Sequence, residues 1–479
     1  MTGDDIARLA RGTLLPSFPG ATAPGWLLAE LEKGLGGVTL FALTGNVPSP
    51  ESLAALTARM RDVADPIVTI DEEGGDVTRL GGHATGSPYP GNAALGAVDD
   101  PELTRRVYRS MGAELAAVGV NLNFAPSADV NTADDNPVIG TRSFGSDPGV
   151  VARHAAAAVT GTQEAGVAAC AKHFPGHGAT VEDSHLAVPL VDADLDLLDR
   201  RELVPFRAAI AAGARAVMTG HLNLPAITGG APATLSHAAI TGLLRDHLGF
   251  EGVIVTDALD MKGASGEIGI PEAAVRALIA GADLLCLGPR EHAETLQATL
   301  DAMIKAVRVG RLPAEHLAAA AERTRALRTW LAGHPPAEID RSAGLDAARR
   351  AVRVTGSLPG WNGTPPLVVE MESSGNIAVG PTPWGLRPWA EDAVQADGGE
   401  QASSLLERAT GRGLVIVLRD AHRHPAQREL TRTLLGARPD AIVVEMGLPV
   451  WRPGAGTYLA TYGAANANAQ AAAELLGLA

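Results

Sequence analysis

The sequence predicts an α/β protein, in which a (β/α)8 TIM-type barrel is followed by a smaller α/β sandwich domain. The first observation is a series of eight short apolar runs that alternate with amphipathic stretches, at residues 13–16, 38–41, 67–71, 121–125, 167–173, 216–221, 253–257 and 283–287. Runs of this kind, buried on both faces and separated by helices, are typical of a parallel sheet. Eight of them favour a closed barrel over an open sheet.

The second observation is a change of pattern after the last of these units. A helical stretch at 313–331 ends in Gly-His-Pro-Pro, which stops a helix, so we expect the barrel to span residues 1–335 and a linker to span 336–366. A second set of elements then occupies 367–479. Its predicted strands lie at 367–371, 414–419, 441–446 and 457–461, and its predicted helices at 424–435 and 466–476.

The composition argues against two classes of partner. The 479-residue chain carries 39 Lys and Arg against 54 Asp and Glu, a formal net charge of −15. Binding to nucleic acid or to anionic lipid needs clustered positive charge, so neither is expected. The N-terminus opens with acidic residues, and no apolar run approaches the roughly 20 residues of a membrane span, so we expect a soluble cytoplasmic protein.

The two cysteines, Cys170 and Cys286, each lie within an apolar run. Free cysteines in such surroundings are usually buried, and we expect two buried thiols. Their spacing matches neither a disulfide framework nor a zinc site. No metal and no other cofactor is expected.

The densest group of reactive side chains follows the fifth apolar run. Lys172 and His173 end this run, a turn rich in Gly and Pro occupies 174–178, and Asp183 and His185 follow. Three histidines, one lysine and two acids fall within fourteen residues. Asp183 is close enough to His185 to fix the tautomer of its imidazole. We expect the glycines to let this loop move over a bound ligand.

Charged side chains also end two other predicted strands and lie in the loop after a third, and reactive groups of a barrel gather at the carboxyl ends of its strands. Asp71 ends the third run and is followed by Arg79 after a Gly-Gly turn, Arg142 lies in the loop after the fourth run, and Asp257 ends the seventh. A charge that closes an apolar strand is costly unless it is paired or used. This favours Asp257 over the nearby Asp260 as a reactive group.

Together these segments resemble family 3 of the glycoside hydrolases, specifically its β-N-acetylglucosaminidase branch. The most specific segment is KHFPGHG at 172–178 followed by DSH at 183–185, and the segments DEEGG at 71–75, GTRSF at 140–144 and TD at 256–257 match in the same order. The resemblance covers about residues 5–331. One departure is Glu72, which stands where members often carry Gln or His.

The resemblance implies a role for each of these residues. Asp257 matches the nucleophile, His185 matches the general acid/base, and Asp183 matches the acid that orients this histidine. The residues that match side chains holding the hydroxyls and the acetamido group of the sugar are Asp71, Arg79, Arg142, Lys172 and His173. The smaller second domain resembles one found in longer members, where it has no catalytic role.

What the resemblance implies is a retaining exo-β-N-acetylglucosaminidase that removes terminal β-linked N-acetylglucosamine. Asp257 would form a glycosyl-enzyme intermediate, while His185 would protonate the leaving oxygen and then deprotonate water, so that two inversions give net retention. A cytoplasmic enzyme of this kind fits peptidoglycan recycling, with cell-wall disaccharides of N-acetylglucosamine and N-acetylmuramic acid as substrates. Chitin-derived oligomers are the alternative, and the expected cytoplasmic location favours the cell-wall disaccharides.

The sequence leaves several alternatives open. An imidazole does not repel an incoming anion as a carboxylate would, so inorganic phosphate is a candidate acceptor in place of water. A metal-dependent barrel hydrolase would use His173, His177, His185 and Asp257 as ligands. A non-catalytic sugar-binding protein would dispense with the reactive groups, and β-glucosidases of the family take their acid/base from another domain.

Overall fold

The computed structural model describes residues 2–81, 86–183, 187–266, 268–289, 293–335, 337–358, 360–361, 363–373, 378–380, 382–398 and 401–479. The chain forms two compact units. The first comprises Met1–Glu72, Thr104–Ile139 and Ser146–Ile339, and the second comprises Glu73–Leu103, Gly140–Gly145 and Asp340–Ala479. Two segments that follow strands of the first unit therefore belong to the second.

Each of the eight apolar runs of the sequence overlaps a strand of the first unit, although β2 begins one residue before its run and β5 ends one residue after its run. These strands are β1 (Leu14–Leu15), β2 (Gly37–Thr39), β3 (Ile67–Ile70), β4 (Leu122–Asn123), β5 (Ala168–Phe174), β6 (Ala216–Thr219), β7 (Val253–Thr256) and β8 (Leu285–Cys286). Strands β2 to β7 form a parallel sheet in chain order, and β1 pairs in parallel with β8. The predicted α/β class is confirmed.

Backbone hydrogen bonds also join β1 and β8 to the ends of the six-stranded sheet. The Leu285 N–H donates to the Thr13 carbonyl at 2.8 Å, which links β8 to β1. The Thr39 N–H of β2 donates to the carbonyl of Pro16, directly after β1, at 3.0 Å. The Thr256 N–H of β7 donates to the carbonyl of Leu284, directly before β8, at 3.0 Å. A closed barrel requires bonds of this kind between its first, second, seventh and eighth strands.

Helices follow most of these strands. Between residues 3 and 331 they are α1 (Gly3–Arg11), α2 (Gly25–Glu32), α3 (Pro50–Arg61), α4 (Asn92–Val98), α5 (Pro101–Ala117), α6 (Pro148–Glu164), α7 (Leu195–Arg200), α8 (Leu203–Ala211), α9 (Pro225–Thr228), α10 (Ile270–Ala280), α11 (Ala293–Arg308) and α12 (Ala314–Leu331), with a π-helix at Ala238–His247. Asp147 shows how one begins, since its carboxylate accepts from the first N–H groups of α6. Within the described residues, none of the helices is both long and apolar enough to cross a membrane.

One core cluster of the first unit consists mainly of aliphatic and small side chains, with one phenylalanine. Strands β1 and β3 to β7, the residue after β4, the residue before β8 and helix α12 all contribute to one cluster, which contains Leu15, Ile67, Leu122, Phe124, Ala168, Cys170, Ala216, Met218, Val253, Val255, Leu284 and Leu327. Both cysteines are free and buried, as predicted. The short strands are thus anchored by apolar residues, and polar residues follow at their carboxyl ends.

The second unit contains a six-stranded sheet with helices packed on both faces. Its strands are β9 (Arg353–Thr355), β10 (Leu367–Met371), β11 (Ala393–Ala396), β12 (Leu414–Leu418), β13 (Ile442–Glu445) and β14 (Thr457–Ala460), and its further helices are α13 (Ser342–Ala351), α14 (Ala402–Arg408), α15 (Pro425–Ala437) and α16 (Asn466–Leu476). The strand order is β11-β10-β12-β13-β14-β9, and only β9 pairs antiparallel among these described strands.

The alternation of side chains along the strands explains why helices cover both faces. In β10, Val369 joins a cluster with residues of α14 and α15, whereas Val368 joins a cluster with residues of α16. Both faces of the parallel strands are therefore apolar and buried, as a parallel sheet requires.

Two strands of this sheet were not predicted, and both are edge strands. The three residues of β9 are exposed, and β11 is only partly buried, so neither carries an apolar run in the sequence. The stretch 336–366, predicted as a linker, contains β9 and α13. The limits assigned to the barrel, the linker and the second domain remain predictions.

Glu445 ends β13 and is fully buried, which makes the stability of the second unit sensitive to pH. Its Oε1 accepts from the backbone N–H groups of Asp420 and Gly447, both at 2.8 Å. Burial, and then the nearby charge of Asp420, raise the pKa of Glu445 from 4.5 to about 8. Between these two pH values the folded protein keeps a proton that the unfolded chain releases, so the folded state loses stability as pH rises.

We expect Glu445→Gln to remove this dependence. The free energy of unfolding of the variant, minus that of the wild type, should rise between pH 5 and pH 8 by up to about 1.4 kcal/mol per pH unit. Urea unfolding at several pH values measures this difference. Glu407→Gln, at an exposed glutamate of α14, is the control and should give a flat difference. A flat difference for Glu445→Gln as well would show that its carboxyl does not titrate in this way.

Candidate active site

The first unit brings Asp71 and Lys172 together at the carboxyl ends of β3 and β5. Lys172 Nζ lies 2.6 Å from Asp71 Oδ1. The lysine side chain is only 2% exposed, whereas the aspartate side chain is 22% exposed. The pair therefore consists of a buried ammonium and a carboxylate that solvent still reaches. A buried ammonium is costly unless an opposite charge and hydrogen bonds compensate it, and Asp71 supplies both.

The pKa of the buried thiol of Cys170, in β5, is affected by both charges of this pair and by a third charge. Burial is the largest cause that raises the pKa of Cys170, and the ammonium of Lys172 opposes it. The carboxylates of Asp71 and Asp257 both add to the increase. Asp257 therefore lies within electrostatic range of the same buried thiol as Lys172 and Asp71, at the same end of the strands.

Asp257 follows directly after β7 and is fixed through its backbone. Its N–H donates to the Thr219 carbonyl at 3.1 Å, and its Oδ1 accepts from the Ala258 N–H at 2.7 Å. The residue is partly exposed. A carboxylate that is positioned by the end of a strand and remains accessible is suited to contact a ligand.

His221, which the sequence did not single out, forms a hydrogen bond with the carbonyl of Ala258, the residue after Asp257. This histidine is fully buried after β6. Its Nε2 lies 3.0 Å from the Ala258 carbonyl and its Nδ1 lies 2.8 Å from Thr234 Oγ1. Because a carbonyl only accepts, Nε2 is the donor to Ala258. The signal in the sequence was a histidine directly after a short apolar strand.

Asp129 is a second residue that sequence reasoning missed. It is fully buried after β4, and its Oδ2 accepts from His173 Nδ1 at 2.8 Å while its Oδ1 accepts from the His177 N–H at 2.7 Å. Burial acts to raise the pKa of Asp129, but the charge and hydrogen bond of His173, followed by those of His177, outweigh it and hold the pKa below its ordinary value. The signal available was an acid within the otherwise apolar or small segment 127–130.

The glycines of segment 174–178 are required by packing. A Cβ on Gly178 would lie 1.9 Å from the Val130 carbonyl oxygen, and a Cβ on Gly176 would lie 2.5 Å from Glu202 Cγ. Both glycines are buried, and Gly176 has a φ of +125°. In the described part of the loop these glycines allow close contact with neighbouring segments, and the movement of the loop over a ligand stays a prediction.

The predicted acid/base pair is only partly described. Asp183 is half-buried, and its carbonyl accepts from the Ala187 N–H at 3.1 Å. His185 lies outside the described residues. The contact between Asp183 and His185 therefore stays a prediction.

The two predicted sugar-binding arginines belong to the second unit, where each has partners. Arg142 forms a bidentate pair with Glu73, with Nη2–Oε1 and Nε–Oε2 distances of 2.7 and 2.9 Å. Both side chains are buried, and Asn92 Nδ2 donates to the Arg142 carbonyl at 2.7 Å. Arg79 donates to the carbonyls of residues 378 and 379 at 2.8 and 3.3 Å. Glu73 was missed because its position after Asp71 gives no indication of its partner.

The chemistry of the described side chains is that of ion pairs and hydrogen bonds. In the described ranges, no group of three or more His, Cys, Asp or Glu side chains is arranged to hold a metal ion. Two histidines of the motif instead bind protein partners, since His173 Nδ1 pairs with Asp129 and His177 Nδ1 lies 2.7 Å from Thr180 Oγ1. Within the described ranges, the reactive groups of this centre are carboxylates, an ammonium and imidazoles.

Carboxylates and a buried ammonium at the carboxyl ends of parallel strands are typical of α/β enzymes that act on polar small molecules. Residues 27–327 match the model of the glycosyl hydrolase family 3 N-terminal domain. This match covers more than half of the chain, and the chain belongs to glycosyl hydrolase family 3.

Relatives with assigned names are similar over a large part of the chain. A beta-hexosaminidase A of Pseudoalteromonas piscicida is 34% identical over 323 residues, which cover 62% of this chain and 54% of the relative. The beta-hexosaminidase LpqI of Mycobacterium tuberculosis is 40% identical over 253 residues, which cover 51% and 63%. The chain thus spans between about half and two thirds of the length of these two relatives.

A solved structure is similar over nearly the whole chain. It is a glycoside hydrolase family 3 beta-N-acetylglucosaminidase from Paenibacillus sp. str. FPU-7, with 34% sequence identity and a TM-score of 0.86. The similarity covers 98% of this chain and 96% of that one. It therefore extends beyond the family 3 domain to the C-terminal residues.

We expect Asp129→Asn to destabilise the protein by about 2 to 4 kcal/mol near neutral pH. The imidazole of His173 and the backbone N–H groups of His173 and His177 would lose a charged acceptor. Urea unfolding measures this loss. Since the pKa of Asp129 is below 3.8 in the folded protein, its contribution exists above that pH and is lost as pH falls further. The difference between variant and wild type should therefore shrink in acid.

Asp192→Asn, at an exposed aspartate of the first unit, is the matched control and should change stability little. Equal stabilities of Asp129→Asn and Asp192→Asn at neutral pH would refute the structural role of the buried carboxylate.

Proposed function

We propose that this protein is a retaining exo-β-N-acetylglucosaminidase with a (β/α)8 barrel as its catalytic part and an α/β sandwich domain after it. The observation that carries the proposal is the buried ion pair of Lys172 and Asp71 at the carboxyl ends of β5 and β3, with the carboxylate of Asp257 directly after β7 of the same sheet. The family and the beta-hexosaminidase names of relatives supply the class of substrate.

Asp257 is the proposed nucleophile. Its carboxylate attacks the anomeric carbon, the bond to the leaving oxygen breaks, and a glycosyl-aspartate forms. The hydrogen bond from the Ala258 N–H to Oδ1 orients the carboxylate. Water attacks the intermediate from the face that the leaving group left, and the two inversions give retention.

The proposed acid/base is His185, oriented by Asp183. An imidazolium protonates the leaving oxygen, and the resulting imidazole takes a proton from the attacking water. The hydrogen balance is closed, because the proton given in the first step is recovered in the second. This assignment rests on the match of segment 183–185 to the family pattern.

The ion pair of Lys172 and Asp71 is proposed to bind the sugar. A carboxylate accepts from two hydroxyls and an ammonium donates to a third, so the pair can hold a polar ring without a net charge. His173, fixed by Asp129, presents an oriented imidazole from the adjacent position of β5. Arg79 and Arg142 are proposed to contact the hydroxyls and the acetamido group, as the family pattern implies.

The proposed natural substrates are short oligosaccharides with a terminal β-linked N-acetylglucosamine. Cell-wall disaccharides with N-acetylmuramic acid are preferred, with the cytoplasm as the proposed location, and chitin oligomers are the alternative. Product analysis on muropeptides and on chitobiose separates them. Faster release of N-acetylglucosamine from chitobiose would reverse this preference.

We expect Asp257→Ala to lower turnover of an aryl N-acetyl-β-glucosaminide by more than about 10³-fold, because it removes the nucleophile. Added azide should restore cleavage and yield a glycosyl azide of the α configuration. The initial rate and the anomer are measured by absorbance and NMR. Asp260→Ala is the control, and it should keep most of the activity. Wild-type turnover of Asp257→Ala, or loss in Asp260→Ala alone, would overturn the assignment.

Water is the proposed acceptor, and we expect inorganic phosphate to change neither rate nor product. The enzyme is incubated with the aryl glycoside with and without phosphate, and the sugar is identified by mass spectrometry. Free N-acetylglucosamine in both samples supports hydrolysis. Release of N-acetylglucosamine 1-phosphate would make the protein a phosphorylase, an outcome that an imidazole acid/base leaves open.

A further inference from the structure

The second unit has a sheet edge at which α/β proteins usually bind ligands. Its parallel strands run in the order β11-β10-β12-β13-β14, so the order reverses between β10 and β12. In such sheets, ligands bind at the carboxyl ends of the strands beside the reversal. In this unit, residues from segment 73–103 contact those ends, and the contacts are made by buried polar side chains.

Arg419 follows directly after β12 and contacts this segment. Its Nη2 lies 3.3 Å from Asp76 Oδ2, and both side chains are almost completely buried. The guanidinium also lies over the ring of Trp384, at 5.5 Å from the centroid. The arginine is thus held between an aromatic face and a carboxylate, two partners that fix its orientation.

Asp76 is also held by the residues that follow β14. Its Oδ1 accepts from the Ala464 N–H at 3.1 Å. A Cβ on the neighbouring Gly463 would lie 2.7 Å from the Pro90 carbonyl oxygen, so the two segments are too close there for a larger residue. Two strand ends of the second sheet therefore determine where the carboxylate of Asp76 lies.

Asp76 also forms a hydrogen bond with the loop that carries Arg142. Thr141 Oγ1 donates to Asp76 Oδ2 at 2.7 Å, and Thr141 directly precedes Arg142. Arg142 is in turn paired with Glu73, three residues before Asp76. Glu73 and Asp76 belong to one tight turn, which is closed by a hydrogen bond from the Glu73 N–H to the Val77 carbonyl at 3.0 Å.

We propose that Arg419 is a positioning residue for the sugar-binding side chain Arg142, acting through Asp76 and Thr141. The inference rests on the proposed function of Arg142. It gives the sheet of the second unit a part in substrate binding, although this sheet contributes none of the residues assigned to the chemistry.

Stability alone does not account for this arrangement. A buried ion pair contributes little net stability compared with well-packed apolar side chains, because both charges must be desolvated. What a buried pair does provide is a defined position for each group. Asp76 joins three separate segments through Arg419, Ala464 and Thr141, and one of these segments carries Arg142.

The test uses Thr141→Val and Arg419→Met in the full-length protein, with an aryl N-acetyl-β-glucosaminide as substrate. We expect KM to rise about three- to tenfold with kcat nearly unchanged, because a displaced Arg142 loses contacts that ground state and transition state share. Thr141→Ser keeps the hydroxyl and should restore the wild-type KM. Arg412→Met removes another arginine of the same unit, paired with Asp392, and should leave KM unchanged.

A second measurement does not depend on activity. Hydrogen exchange of peptides covering 140–145 should be faster in Thr141→Val and Arg419→Met than in Thr141→Ser, Arg412→Met and the wild type. The double variant should exchange no faster than the single variants, because both act through the carboxylate of Asp76. If Arg419→Met does not fold, the pair Thr141→Val and Thr141→Ser decides the question.

The outcomes separate this inference from the proposed function. A wild-type protein without turnover would refute the proposed function, while the exchange of 140–145 would still decide whether Arg419 positions the loop. Wild-type turnover, a raised KM in Arg142→Lys, and unchanged KM and exchange in Thr141→Val and Arg419→Met would overturn the inference alone. An equal fall of kcat and stability in all variants would also overturn it, since that is the result of a purely structural role.

Discussion

The site of the first unit depends on one constraint, which is that the ammonium of Lys172 is buried. A charge in that position requires a carboxylate, and Asp71 at the end of β3 provides it at 2.6 Å. Replacing such a pair by apolar side chains is often neutral or stabilising, so stability gives little reason to keep it. A polar ligand gives a better reason, since the partly exposed Asp71 and the fixed ammonium together offer acceptors and a donor at one place.

The next residue of β5 is also paired with a carboxylate, from a different segment of the chain. His173 follows Lys172, and its imidazole pairs with Asp129 from the segment after β4. Two consecutive side chains are thus fixed by acids from two different segments, and neither depends on the other for its orientation. Gly178 adds a third restraint on the same region, because only a residue without a side chain can lie so close to Val130. Rigid placement of this kind reduces the ordering that substrate binding must bring about.

The periodicity of apolar residues predicted the buried strands and an amphipathic helix, because these elements depend on neighbouring residues of the sequence. Each described strand of the first unit overlaps a predicted apolar run, and α16 has the predicted bounds, because buried parallel strands and amphipathic helices leave periodic signals. The edge strands β9 and β11 leave no such signal. Asp129 and Glu73 were missed for another reason. Their roles come from partners 44 and 69 residues away, and a single sequence does not reveal such pairs.

The second unit shows why long loops in a catalytic fold need partners from elsewhere in the chain. Glu73–Leu103 is long for a connection between two strands, and such loops have few internal contacts to fix a side chain. Arg79 bonds to carbonyls about 300 residues further along, and Asp76 bonds to residues after β12 and β14. The carboxyl edge of the second sheet thus holds a protein segment where related folds hold a ligand. If Arg419 positions Arg142 as proposed, the sheet of the second unit contributes to binding without supplying a reactive group.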